Sequence, residues 1–342
     1  MQRRMITLTV GLAVALMFGS SAAMAQYKLT NLVSNQTGQA RTTDPLMVNG
    51  WGLVYGPGSP FWVSDQGSGW STLYTGTGAK KALDVAVPAA NGKGPGQPTG
   101  IVFNGSQEFQ VGGFPALFLF ATLDGTISGW APQANPNAAI IAVNNSGSGA
   151  TYTGLAITSN ASGNFLFASD LANNKVDMYD GTFTLVGSFT DPTVAVGNAP
   201  FNVQDINGLL YVAFARQDEG PGGYIDIFSE SGVFLKRLTQ GYPLNQPWGF
   251  AAAPKSFGPL SNTLLVSNNI SRNGTINAFN AITGEFVGTV RDVDGKIIHI
   301  DQLWGIDFGG GTANNGGKNE LYFTAGPNNN LAGTFGVLVY KP

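Results

Sequence analysis

The chain contains no cysteine, a single histidine and few charged residues. Without cysteine there can be no disulfides, so stability requires a packed hydrophobic core, which 342 residues are enough to build. Charged residues make up 11% of the chain, where about 25% is usual, and this scarcity disfavours long surface helices. The net charge is −3 and the basic residues are scattered, so the sequence offers no basic stripe for nucleic acid.

Glycine is abundant instead, with 48 residues, about twice its usual share. Asparagine, serine and threonine are frequent as well, and these residues favour turns and strands over helices. The composition therefore predicts turn-rich β structure.

The first 25 residues have the pattern of a cleavable signal peptide. Arg3 and Arg4 precede an apolar run over 6–18, and Ala23-Met24-Ala25 is a small-residue cleavage site. The run is shorter than the roughly 20 residues that span a bilayer. We expect a mature chain that begins near Gln26, has no membrane span and lies in the periplasm or outside the cell.

The rest of the chain is a repeat of about fifty residues. Its anchors are short segments that begin with a large or β-branched residue, and three of them contain a Trp-Gly pair. They recur every 47 to 56 residues, which is in the range of propeller repeats. The anchors are WGLVY at Trp51, TGIVF at Thr99, TGLAI at Thr153, FNVQD at Phe201, WGFAA at Trp248 and WGIDF at Trp304.

Each anchor is followed by two further apolar or alternating runs, and most units add a weaker fourth. Period-two patterning bounded by Gly and Asn is typical of strands, so the sequence predicts an all-β, six-bladed β-propeller of four-stranded blades. The last unit ends after its third strand, and the strand-like segment 26–34 is expected to complete it. The predicted single domain covers 26–342, with blades near 46–95, 96–148, 149–197, 198–243, 244–299 and 300–342.

The third unit, TGLAITSNASGNFLFASDLANNKVDMYD, resembles an NHL-type propeller repeat. Over its whole mature length the chain resembles a family of uncharacterised secreted bacterial propeller proteins, through stretches such as LMVNGWGL (46–53), LNQPWGF (244–250) and QLWGIDFG (302–309). The resemblance implies a propeller fold and export, and it supplies no mechanism.

The Trp-Gly pairs have two interpretations. A glycine on the inner strand lets neighbouring backbones approach closely, and the preceding large residue can wedge between blades, which makes the motif structural. Alternatively, Trp51, Trp248 and Trp304 belong to the adjacent blades 5, 6 and 1, so they can form an aromatic wall at the channel mouth. With Arg216, they are the candidate ligand-binding rim.

Oxygen-bearing side chains are predicted on the same face. Asp65, Asp170, Asn202 and Asn268 are candidate ligands for a hard cation such as Ca²⁺. The competing interpretation is that an Asp or Asn after a strand accepts hydrogen bonds from the following turn. Six-bladed hydrolases of the lactonase type, which hold an ion at the channel mouth, provide an analogy at the level of the fold only.

The single histidine, His299, is the candidate general base. Asp301, two residues further on, would face the same way if the segment were a strand, giving a His–Asp pair beside Trp304.

Two functions are compatible with these patterns. The leading hypothesis is an exported, monomeric binding scaffold whose channel mouth takes a small molecule, glycan or protein partner. The alternative is a metal-dependent hydrolase or lyase at the channel mouth.

Overall fold

The computed structural model describes residues 26–342, so the predicted signal peptide at 1–25 lies outside the described residues. Six antiparallel sheets surround a central channel, which confirms the predicted all-β, six-bladed propeller. Five sheets contain four strands, and the sixth carries a short fifth strand, Thr42–Thr43, at its outer edge.

The strands of each blade follow one another outward from the channel. The inner strands are Gly50–Val54, Pro98–Phe103, Tyr152–Asn160, Asn198–Asp205, Pro247–Ala252 and Leu303–Phe308. The second strands are Phe61–Asp65, Phe118–Thr122, Gly163–Asp170, Leu209–Arg216, Leu264–Asn268 and Glu320–Ala325. The third strands are Trp70–Tyr74, Thr126–Trp130, Lys175–Asp180, Tyr224–Ser229, Ile276–Phe279 and Thr334–Tyr340. The outer strands are Lys80–Ala86, Ile140–Asn144, Leu185–Phe189, Phe234–Gln240, Phe286–Thr289 and Tyr27–Ser34.

The outer strand of the last blade comes from the beginning of the described chain. Tyr27–Ser34 pairs antiparallel with Thr334–Tyr340, from Tyr27 opposite Tyr340 to Ser34 opposite Thr334. The Tyr27 hydroxyl donates a hydrogen bond of 2.6 Å to the Phe257 carbonyl of the preceding blade.

The hydrophobic core lies between neighbouring blades, because the inner and second strands are largely buried on both faces. Between the last blade and the first, the rings of Tyr322 and Phe61 pack with centroids 4.4 Å apart. Between blades 1 and 2, Trp62 stacks on Phe118 at 4.0 Å. These aromatic contacts hold the blades at fixed positions around the channel.

Regular structure outside the blades is sparse. A short hairpin pairs Gln110–Val111 with Phe114–Pro115, and single 3₁₀ turns cover Ser146–Ser148 and Gly258–Leu260. From residue 26 to the C-terminus, helices that are long and apolar enough to cross a membrane do not occur.

One backbone hydrogen bond recurs in all six blades. The residue immediately after the second strand donates its N–H to the carbonyl of the residue immediately before the inner strand. The six bonds are Gln66 to Asn49, Leu123 to Gln97, Leu171 to Thr151, Gln217 to Gly197, Asn269 to Gln246 and Gly326 to Gln302. They fix the two kinds of loop that share one face of the propeller, and we call this face the mouth.

Candidate functional site

Three tryptophans and a phenylalanine close the channel beneath the mouth. The indoles of Trp51 and Trp304 are stacked with centroids 3.6 Å apart, and Trp248 meets both edge-on, at 6.1 and 5.9 Å. Phe201 of blade 4 packs against Trp51 and Trp304. We call these four residues the aromatic plug. The structure therefore brings Trp51, Trp248 and Trp304 together, as the adjacency of their blades predicts.

The chain turns in the same way into each of the three tryptophans. The residue two positions earlier carries a side-chain amide and adopts a left-handed backbone conformation: Asn49 at φ 49°, Gln246 at 51° and Gln302 at 51°. Asparagine tolerates this region better than most residues, because its short side chain can bond the local backbone. The motif that directs an indole into the channel is therefore an Asn or a Gln, followed by any one residue and then by the Trp-Gly pair.

The glycine of each pair is required for close approach of backbones. A Cβ on Gly52 would lie 2.4 Å from the Thr99 carbonyl oxygen of the next inner strand, and one on Gly305 would lie 2.7 Å from the Trp51 carbonyl oxygen. Neither distance is sterically possible, so the structural interpretation of the Trp-Gly pair is confirmed. The three tryptophans also pack together in the channel, and the interpretation that they bind a ligand stays a prediction.

Blade 4 departs from this pattern, because Asn202 occupies the glycine position. Its Nδ2 donates to the Trp248 carbonyl at 2.8 Å, and its side chain fills the space left by Gly154 in the preceding blade. The predicted metal ligand Asn202 is thus a bridge between the inner strands of blades 4 and 5.

Above the aromatic plug, the mouth contains a cavity of about 500 Å³, which we call the cup. Trp51, Phe201 and Trp304 form its floor. Its walls are mostly polar side chains of blades 4 to 6, among them Arg216, Gln217, Asn245, Asn269, Gln302 and Asn330. Of the predicted rim, Trp51, Trp304 and Arg216 line the cup, whereas Trp248 faces the channel below the plug.

The charge of Arg216 is already partnered at the rim of the cup. Its guanidinium makes two hydrogen bonds to Asp218, Nε to Oδ1 at 2.8 Å and Nη2 to Oδ2 at 2.5 Å. The bond from Arg216 lowers the pKa of the Asp218 carboxyl to about 2. The other charged side chain that lines the cup is Glu219, so the cup has one positive and one negative side chain.

Below the plug lies a second, smaller cavity of about 220 Å³ that touches all six inner strands. Asp307 and Asp205 line it, together with Gln204. Burial raises the pKa of the Asp307 carboxyl to about 7 and also raises the pKa of Asp205. Burial, followed by the nearby Asp307 charge, raises the pKa of the Tyr55 phenol to about 12.

These polar residues of the lower cavity are absent from the sites predicted from the sequence, although a signal for them existed. Gln204 and Asp307 occupy the fourth position of their anchors. The other anchors have apolar residues there, namely Val54, Val102, Ala156 and Ala251. A polar residue at a repeat position that is apolar in the other blades indicates that this position is not simply part of the hydrophobic core.

Two predicted metal ligands are occupied within their own blades. Asp65 Oδ2 accepts a hydrogen bond of 2.7 Å from Thr72, and burial holds the pKa of Asp65 well above its usual range. Asp170 accepts from the backbone N–H groups of Thr151 and Asn173 and from the Asn173 side chain. Asp170 therefore accepts hydrogen bonds from the turn after its strand, which was the interpretation that competed with metal binding.

Asn268 has the same kind of local role at the end of its strand. Its Oδ1 accepts from the Asn245 N–H at 3.0 Å, and its Nδ2 donates to the Pro243 carbonyl at 2.7 Å. The four predicted ligands come from blades 1, 3, 4 and 5 and fit a shared cation poorly, because each has an oxygen or an amide engaged in a hydrogen bond. Within residues 26–342, Asp65 Oδ1 is without a partner. Among residues 26–342, groups of three or more His, Asp or Glu side chains that could hold a metal ion are absent.

The predicted pair of His299 and Asp301 lies outside the cup. Both residues line a separate groove beside Leu29 and Phe323. The assumption that they share a strand is wrong, because this segment is irregular and makes only isolated bridges, such as Ile300 with Gly274. His299 is exposed, and both Asp301 oxygens accept backbone N–H groups, from Arg272 and Asn328.

The geometry defines a six-bladed propeller with a plugged channel and an open cup on one face. Solved structures share this fold. They include virginiamycin B lyase from Staphylococcus aureus (TM-score 0.50, 12% identity, 87% of this chain and 82% of that one). A luciferin-regenerating enzyme matches at TM-score 0.55 with 13% identity over 85% of this chain and 91% of that one. A structural genomics protein from Bacteroides thetaiotaomicron matches at TM-score 0.57 with 10% identity, over 92% of this chain and 76% of that one.

Comparison of sequences identifies the family. The chain is 31% identical to uncharacterized protein R648 of Acanthamoeba polyphaga mimivirus, over 93% of this chain and 82% of the relative. It is 30% identical to uncharacterized protein L690 of the same virus, over 94% of this chain and 88% of that relative. The chain belongs to the family of these two proteins. No protein-family model matches it. The fold confirms the propeller class that the resemblance implied. Both relatives are viral, so the comparisons do not show the secreted bacterial family, and export remains a prediction.

Proposed function

We propose that the protein is an exported binding scaffold that holds a small molecule, a glycan or a segment of a protein partner in the cup. The observation that carries this proposal is the aromatic plug. It closes the channel from within and converts the mouth into a blind cavity of about 500 Å³ with polar walls. A cavity of this size, with an apolar floor and converging polar groups, has the form of a ligand site.

The construction of the cup supports binding by a preformed site. Its floor belongs to inner strands that are packed against one another, with Trp51 and Trp304 only 6% and 3% exposed. Its walls are loops tied to those strands by the recurring backbone hydrogen bonds. A site that is ordered before binding loses little conformational entropy when the ligand arrives.

Catalysis in the cup is less well supported. His299, the one histidine of the chain, lies in a different groove, and Arg216 is paired with Asp218. The alternative of a metal-dependent hydrolase needs free oxygens from Asp170, Asn202 and Asn268. The Asp170 and Asn268 oxygens accept backbone N–H groups, and the Asn202 side chain is held between two blades by its Nδ2. Similarity to the lyase and the luciferin-regenerating enzyme extends to the fold, and a fold hosts many functions.

Ligand binding is tested by filling the cup. Ser271 is exposed and lines it, so Ser271→Trp would block the cavity without disturbing the core. The matched control is Ser231→Trp, an exposed serine in the turn between the third and outer strands of blade 4, on the opposite face. The purified mature protein is incubated with a cellular small-molecule extract, and retained compounds are identified by mass spectrometry. Retention by the wild type and the control, with loss in Ser271→Trp, is expected; equal retention by all three would contradict the proposal.

Export is tested separately, in cells. Expression of the full chain in a Gram-negative bacterium is expected to give a periplasmic or secreted product whose N-terminal residue is Gln26. An uncleaved product in the cytoplasm would contradict this part of the proposal and leave the binding function untouched.

A further inference from the structure

Two residues of the cup each carry a buried polar atom that is without a hydrogen-bond partner. These atoms are Trp51 Nε1, a donor, and Asn330 Oδ1, an acceptor, and neither finds a partner anywhere in residues 26–342. Both residues line the cup. Buried polar groups in proteins are nearly always satisfied, so an unpartnered one needs a specific explanation, such as an absent bound molecule.

Trp51 differs in this respect from the other two indoles of the plug. Trp248 Nε1 donates to the Thr153 carbonyl at 3.0 Å, and Trp304 Nε1 donates to Asn49 Oδ1 at 2.9 Å. The Trp51 ring is held by its stack on Trp304 and by the edges of Trp248 and Phe201. It is only 6% exposed and cannot rotate to find a partner within the plug.

The charges of the cup argue for a neutral ligand. Arg216 and Glu219 are its charged side chains, and the Arg216 guanidinium is held by both oxygens of Asp218. An anionic ligand would have to displace Asp218 from Arg216 and would meet Glu219, and a cationic ligand would meet Arg216 beside Glu219, so the cup favours neither sign of charge. The remaining polar wall consists of amides and Ser271, which bind neutral hydrogen-bonding groups without a charge penalty.

We infer that the ligand of the cup is a neutral polyhydroxylated compound, a sugar or a polyol, whose hydroxyl groups accept a hydrogen bond from Trp51 Nε1 and donate one to Asn330 Oδ1. This inference rests on the proposed binding function of the cup. A hydroxyl is both a donor and an acceptor, whereas a carboxylate only accepts and an ammonium only donates. A carboxamide also does both, and it is therefore the competing class in the test.

The test uses the mature protein with two panels of probes. One contains neutral monosaccharides, their β-1,4- and α-1,4-linked oligomers, and glycerol; the other contains dipeptide amides, short carboxylic acids and amines. Binding is followed by the ¹H–¹⁵N resonance of the Trp51 indole, assigned with Trp51→Phe. We expect a member of the first panel to shift this resonance and to slow its exchange with solvent, as a new hydrogen bond requires.

Variants then separate the two atoms from general packing. Trp51→Phe removes the donor, and Trp130→Phe is its control, because that buried indole donates to the Pro136 carbonyl within blade 2 and does not line the cup. Asn330→Gly removes the acceptor at a left-handed position with φ 64°, and Asn328→Gly, at φ 59° in the separate groove, is its control. Affinity is expected to fall about three- to tenfold in Trp51→Phe and in Asn330→Gly, and to stay unchanged in the controls. If Trp51→Phe fails to fold, comparison of Asn330→Gly with Asn328→Gly still tests the inference.

Three outcomes would overturn the inference. A carboxamide or charged probe that shifts the Trp51 indole where sugars do not would refute the hydroxyl class and leave the binding function standing. Sugar binding with unaltered affinity in Trp51→Phe and Asn330→Gly would refute the role of both atoms. Saturating sugars that leave the Trp51 resonance unmoved would also refute the inference. The binding function is decided separately, by comparing the compounds that Ser271→Trp and its control Ser231→Trp retain from the extract.

Discussion

The indoles of Trp51 and Trp304 stack at 3.6 Å, although they come from the first and last blades of the ring. The Trp304 indole also donates to Asn49 Oδ1, just before the first inner strand. At the same junction, Thr324 accepts from the Gly305 N–H and donates to the Trp51 carbonyl. The contact that plugs the channel therefore also joins the last blade to the first.

Trp304→Phe is expected to destabilise the protein by about 2 kcal/mol, because it removes buried aromatic area and the hydrogen bond to Asn49. The free energy of unfolding is measured with urea. Trp70→Phe is the control, since Trp70 is only partly buried and lies outside the plug. Equal stability of Trp304→Phe and wild type would show that the stack contributes nothing to ring closure.

Gly305→Ala is expected to destabilise the fold by about 1–3 kcal/mol, since its Cβ would lie 2.7 Å from the Trp51 carbonyl oxygen. Gly187→Ala is the matched substitution, because Gly187 lies on the outer strand of blade 3 with open space around its Cβ position. That variant is expected to be neutral or slightly more stable than wild type. Thermal denaturation of the two variants side by side checks the difference, and a reversed order would contradict the close-approach argument.

Asp307 is expected to make stability depend on pH. Burial raises its pKa from 3.8 in the unfolded chain to about 7 in the native state, so the native state holds the proton more tightly. The stabilisation that this provides is complete below about pH 4 and is lost as the pH rises through about 7. Relative to Asp307→Asn, the wild type should therefore lose on the order of a few kcal/mol across this window.

Urea unfolding of the wild type and Asp307→Asn at intervals from pH 4 to pH 8 measures this loss. Other groups, such as Asp226 with its pKa raised by burial to about 6, cancel in the difference between the two proteins. Parallel curves for the wild type and the variant would show that Asp307 titrates normally.

Millimolar Ca²⁺ is expected to leave the melting temperature of the mature protein unchanged relative to EDTA. The oxygens of Asp170 and Asn268 accept backbone N–H groups, and the Asn202 amide bridges two blades. A cation bound by the native state would raise the melting temperature by mass action. A calcium-dependent rise that Asp170→Asn abolishes would restore the hypothesis of a metal-dependent enzyme.

Much of this architecture could be predicted because its signals are local and repeated. Alternation of apolar residues specifies strands, and six recurrences of the anchor specify six blades. Once the blades are numbered, the closeness of Trp51, Trp248 and Trp304 follows from adjacency around the ring. The arrangement of the mouth is predictable for the same reason, since every blade contributes the same two loops.

The individual site residues were harder to place, because their roles depend on contacts with distant segments. His299 and Asp301 have a plausible spacing for a catalytic pair, but irregular backbone places them in a side groove. Asn202 has the chemistry of a metal ligand, but the Trp248 carbonyl of the next blade occupies its amide. Hydrogen-bond partners such as these are supplied by segments far away in the chain.

The sequence by itself determined the fold, the order of the blades and the convergence of three tryptophans, because these follow from periodicity and topology. Only the tertiary structure decided which polar atoms are satisfied. Trp248 and Trp304 have partners for their indole N–H groups within residues 26–342, and Trp51 does not. Identical Trp-Gly pairs end in different environments because each indole meets different groups of other blades, a backbone carbonyl for Trp248 and a side-chain amide for Trp304, and that difference indicates where a ligand would bind.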